Sequence, residues 1–132
     1  DKEFSRVDLI MKNTQKFENF QFHFKTEDKN YIIHMISAGN FLNDMSLCKK
    51  EMKKIDKNLL ESFSDINREE KPEREHPDDP GSKINQIYYY FPNGGGYRVS
   101  CFDWSNKSKY DDHIKVSGFT QEILNWFITK AY

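Results

Sequence analysis

The sequence has no apolar run near the roughly 20 residues that a bilayer-crossing helix needs, which excludes a helical membrane anchor. It has no surplus of one charge: 20 Lys and Arg stand against 21 Asp and Glu, for a formal net charge of -1. The long-range field that draws proteins onto nucleic acid or anionic lipid is therefore missing, and neither nucleic-acid binding nor membrane insertion is expected. There are only two cysteines, Cys48 and Cys101, too far apart in the chain for a Cys-x-x-Cys metal or redox motif. No Gly-x-Ser-x-Gly elbow occurs. The run Gly94-Gly95-Gly96 lacks the Lys-Ser or Lys-Thr and the following helix of a phosphate loop. Prolines number 4 and glycines 6, most of them in two clusters at 72–81 and 92–96, so the sharp turns are concentrated there. No cofactor is expected.

What the chain does have is rings. Aromatic residues make up 15% of it and hydrophobic residues 36%, so the core is built from few, large side chains. At 132 residues a single domain spanning 1–132 is expected, and it can bury roughly two-thirds of its unfolded surface. Cys48 and Cys101 both fall on faces that turn inward, which predicts a disulfide and an oxidising compartment, periplasmic or secreted; unpaired thiols would point to the cytoplasm. The chain begins at Asp1 and not at Met, in keeping with removal of a secretory leader or with trimming.

The clearest local signal is Ile84–Trp104, where two aromatic and β-branched runs flank Pro92-Asn93-Gly94-Gly95-Gly96, the grammar of a β-hairpin. Before it, Phe4, Val7, Ile10, Met11, Thr14 and Phe17 fall three and four apart, with Lys12, Gln15 and Lys16 between, predicting an N-terminal helix over 1–17. Alternation over 19–27 and 31–37 predicts a first hairpin. Met45, Cys48, Met52, Ile55, Leu59 and Phe63 predict a long helix with Asn40 or Asn43 as its cap and its lysines on a solvated face. Residues 65–83 are charged and contain three prolines, predicting an exposed loop. His113–Phe119 predicts a last strand, and Thr120 caps a closing helix with Ile123, Leu124, Phe127, Ile128 and Ala131 on its stripe. The expected fold class is α+β: an antiparallel sheet of about five strands with helices packed on it, in the order α-β-β-α-β-β-β-α.

Candidate chemistry is sparse. His23 and His34 lie in successive strands and could converge on one face to hold a metal or exchange protons. Asp111, Asp112 and His113, with Asp103, offer oxygen and nitrogen ligands, although their spacing does not fit a calcium loop. His76 falls in the charged segment. Either histidine set could serve a small hydrolase or metal-dependent enzyme. A third option is a domain that binds a small apolar ligand between sheet and helices. Asn106-Lys107-Ser108 matches a glycosylation acceptor.

The hairpin must place rings on both faces, because Tyr88 and Tyr90 alternate with Tyr89 and Phe91. An uncovered face would carry Tyr, Trp and Arg, the residues that dominate binding hot spots. The expected partner-binding set is Tyr88, Tyr90, Asn93, Tyr97, Arg98, Trp104, Lys107 and Tyr110, on the hairpin tip and the 103–112 loop. In size, composition and freedom from motifs the chain resembles small bacterial immunity and inhibitor proteins of secreted toxins. That resemblance implies a protein partner, a toxin or hydrolase, and no enzymatic activity of its own. A homodimer is also open.

Overall fold

The computed structural model describes residues 3–12 and 16–130. Seven strands form one antiparallel sheet: β1 (Phe4–Ile10), β2 (Asn19–Lys25), β3 (Ile33–Phe41), β4 (Asn67–His76), β5 (Asp79–Tyr90), β6 (Gly96–Asp103) and β7 (His113–Phe119). Two helices, α1 (Met45–Ser62) and α2 (Gln121–Thr129), complete it. The spatial order is β1-β2-β3-β7-β6-β5-β4, so the last strand in sequence sits in the middle and joins two three-strand halves.

Two expectations fail here, and with them the five-strand order. Residues 4–10 form a strand and not a helix. Phe4, Val7 and Ile10 do fall at helical spacing, but Val7 and Leu9 also alternate with Arg6 and Asp8. All seven residues pair with β2 in unbroken register, from Phe4 opposite Lys25 to Ile10 opposite Asn19. A helix this short is marginal in water, whereas the ladder satisfies the backbone and lets Phe4 bury. Thr14, Gln15 and Ala131 lie outside the described residues.

The charged segment is the second correction: 67–76 and 79–90 pair as a hairpin, not an open loop. β4 is an edge strand wetted on both faces, so it needs no apolar alternation. Its charges and Pro72, at a register break between Lys71 and Arg74, guard the free edge. Arg68 also ties it to α1. Arg68 donates from Nε to Asp56 Oδ1 at 2.8 Å, and the hydroxyl of the fully buried Tyr89 donates to the same oxygen at 2.6 Å. Burial opposes ionisation of Asp56, yet the Arg68 and Tyr89 hydrogen bonds hold its carboxyl below the usual range.

The helix α1 begins at Asp44, whose Oδ1 accepts from the Ser46 N–H at 2.8 Å; neither Asn40 nor Asn43 is the cap. Its stripe packs Cys48 and Met52 on Ile87, Tyr89, Val99, Cys101 and Ile114. Cys48 and Cys101 are joined as a disulfide with Cα atoms 6.0 Å apart. The helix α2, capped by Thr120, lies on the opposite face, where Ile123 joins Phe4 and Met35 in a smaller core with Trp126 and Phe127. The two helices thus cover opposite faces of the sheet. No helix among the described residues is long and apolar enough to cross a membrane.

Candidate functional site

Pairing registers read across the sheet show what the α2 face carries beyond the helix. One row runs Asp8, Gln21, Ser37, Ser117, Arg98, Tyr88. The next runs Asn19, Gly39, Lys115, Ser100, Gln86. Small residues hold the centre of the first row and flank Lys115 in the second, so the floor is low and long polar side chains stand over it. Ser37 and Ser117 share a 2.8 Å hydroxyl hydrogen bond, and Gln86 donates to the Ser100 hydroxyl at 3.2 Å. All four are buried, which makes this a polar seam and not an ordinary wet face.

A groove of about 310 Å³ opens over this seam, lined by Arg6, Gln21, Ser37, Gly39, Phe41, Tyr110, Asp111, His113 and Lys115 among others. Lys115 donates to Gln21 Oε1 and makes no ion pair with any described residue. Burial, then the positive charges of Arg98 and Arg6, push its amine down to about 8; Asp8 opposes them weakly because Arg6 holds it at 3.0 Å. Arg98 on the neighbouring row likewise has no carboxylate. Its Nη1 reaches only the Tyr88 hydroxyl at 3.5 Å, and its Nε is buried without a partner. His23 Nδ1 and Asn19 Oδ1 are buried and unpartnered as well. Burial and the nearby Lys115 and Arg6 charges bring His23 down to about 4, so its ring is neutral at pH 7. Of these groups Lys115, Arg6 and Asn19 line the groove, while Arg98 and His23 lie on the same face outside its lining. Chemically the groove can bind an anion.

The expected partner-binding residues separate into groups. Tyr88 and Tyr90 stack at 5.8 Å on the α2 face, with Arg98 over Tyr88. Trp104 stacks on Phe102 at 5.6 Å and touches Tyr110, half-exposed at the groove mouth, at 4.9 Å. Lys107 is exposed in the same loop. Tyr97 lies on the α1 face against Phe63 at 5.7 Å, and Asn93 closes the turn by accepting from the Gly95 N–H at 2.9 Å. Thus Tyr88, Tyr90 and Arg98 meet, and Trp104 and Tyr110 meet, but Tyr97 does not join them.

The two strand histidines serve different neighbours. His23 packs on Phe127, while His34 lies at the start of α2 beside Thr120 and Glu122. Asp112 is spent on the Trp104 N–H, and His113 Nδ1 lies 2.8 Å from the Asp111 carbonyl. No group of three or more His, Cys, Asp or Glu able to hold a metal occurs among the described residues. No family model matches the chain. Neither a curated protein nor a solved structure matches it. The chemistry of the groove therefore has to carry the functional reading.

Sequence reasoning reached Arg98 and Tyr110 but missed Lys115, Gln21 and the serines. The available signal was the run of small polar residues at alternate strand positions: Ser37 and Gly39, Ser100, then Ser117. Solvated strand faces favour long or β-branched polar side chains, so several serines in phase mark a buried polar seam.

Proposed function

We propose that this protein is a binding module that captures a carboxylate or phosphate group in the groove lined by Lys115 and Arg6, with Arg98 on the adjacent row outside its lining. One observation supports the reading: two half-buried cations on adjacent rows have no acidic partner among the described residues. An uncompensated charge out of water costs free energy, and an arriving anion removes that cost. In the form nearest the sequence resemblance, the anion is an acidic side chain of a toxin or hydrolase, and the chain acts as its inhibitor. Tyr110 beside Trp104 then supplies the aromatic anchor such interfaces use. The disulfide favours a periplasmic or secreted site of action, where it would persist.

The test is a backbone NMR titration with benzoate and with inorganic phosphate. The expected result is saturable shifts at Ser37, Gly39, Arg98 and Lys115, with about millimolar affinity for an isolated group. Affinity falls as pH rises through about 8, because Lys115 loses its proton. Lys115→Met abolishes the shifts and leaves the fold as stable or stabler by about 1 kcal/mol, since it removes an unpaired buried charge. Absence of saturable shifts, or equal affinity in Lys115→Met, overturns the proposal.

A further inference from the structure

Among the described residues no strand pairs with the outer edge of β1. Val7 and Leu9 are about half exposed on the α1 face and Ile10 is 75% exposed, beside Phe20 and Phe22 of β2. Which backbone groups are unspent follows from the ladder. The Met11 N–H donates to the Glu18 carbonyl, and the Thr26 N–H donates to the Glu3 carbonyl. Odd-numbered residues of β1 therefore bond β2, and Phe4, Arg6, Asp8 and Ile10 turn their N–H and C=O groups to the open edge.

We propose that this edge pairs antiparallel with β1 of a second copy, about a two-fold axis through Val7. This pairing sets Arg6 opposite Asp8 of the second copy, Phe4 opposite its Ile10, and Val7 opposite its Val7. All four outward residues of each strand then bond each other, and the two apolar strips become continuous. The charges select this register. A slip by one residue turns outward groups toward ones already bonded to β2. A shift by two brings Arg6 against Arg6 or Asp8 against Asp8, which opposes pairing. Within one chain Arg6 and Asp8 already lie 3.0 Å apart on the same face, so the second copy completes an alternating square of charge. The interface is self-complementary, as two-fold symmetry requires. An unrelated apolar strand could also add to this edge, but the charge pattern matches the strand itself.

Sedimentation equilibrium at sub-millimolar concentration tests the proposal. The wild-type chain is a dimer. Arg6→Asp, checked for native circular dichroism, weakens dimerisation roughly 10- to 100-fold by placing acid against acid at two symmetric positions. The swap R6D/D8R restores it, which a merely destabilised fold would not. Separately, Val7→Cys forms an intermolecular disulfide under air, because a non-hydrogen-bonded pair brings the two Cα atoms within bridging distance. A wild-type monomer, or an R6D variant that dimerises as well as wild type, overturns the proposal. Dimers in which Val7→Cys does not cross-link overturn the register.

Discussion

At one edge of the sheet, β4 presents Glu69, Glu70, Lys71, Pro72, Glu73 and Arg74 and is tied to α1 through Arg68 and Asp56. At the other, β1 presents Val7, Leu9 and Ile10, with one ion pair, Arg6 to Asp8, along its length. The halves behind them differ in the same way. β5, β6 and β7 form the larger core under α1 and its disulfide, with β4 held beside it through Arg68 and Asp56; β1 to β3 rest on α2 through Phe4, Met35 and Ile123, and their α1 face stays open. The comparison teaches that edge chemistry tracks use. The charged, proline-bearing edge resists pairing with other strands, whereas the apolar one invites it. The polar groove lies over β1 to β3 and the joining strand β7.

The largest blow to the contrast comes from the stapled half. Replacing Cys48 and Cys101 together by alanine is expected to cost about 4 kcal/mol in urea unfolding, from the loop their bond closes. A loss under about 1 kcal/mol would show that α1 is held by packing alone. Phe4→Ala should come next, at about 3 kcal/mol, since the ring is buried between His34 and Trp126. Hydrogen exchange should rise in β1 and β2 and change little in β5 and β6; uniform acceleration would erase the distinction between halves. The smallest effect sharpens it by acid. His23 titrates near 4 in the fold and near 6.5 when unfolded, so below 6.5 the unfolded chain takes up a proton the fold refuses. Stability is full above pH 6.5 and falls by roughly 1–2 kcal/mol toward pH 4, after allowance for partial exposure. His113, also lowered by burial, adds a loss of the same sign. His23→Gln should flatten part of that slope, and an unchanged slope would remove His23 as its source.

Much of the architecture was legible where a pattern specifies its own shape. The stripe from Met45 to Leu59 could only be a buried helix face, and the glycine cluster between Tyr90 and Tyr97 could only be a turn between strands. β1 was not legible because four apolar residues at helical spacing also alternate over their middle, and only the partner strand decides between the two. β4 was not legible because an edge strand in water leaves no hydrophobic trace. The site was half legible. Arg98 and Tyr110 carry the chemistry of contact surfaces, but Lys115 reads as any solvated lysine until the register sets it beside Ser37 and Gly39, residues of a strand far away in the chain.

The central position of β7 governs when this chain can fold. Its neighbours, β3 and β6, each wait for a strand that follows both of them in the chain, and until it arrives both halves expose an inner edge whose outward backbone groups are unspent. A ribosome therefore releases all seven strands before the sheet can close. Folding is late and all at once, with a window in which β3 and β6 of different molecules can find each other. A chain stopped before His113 should remain open and sticky.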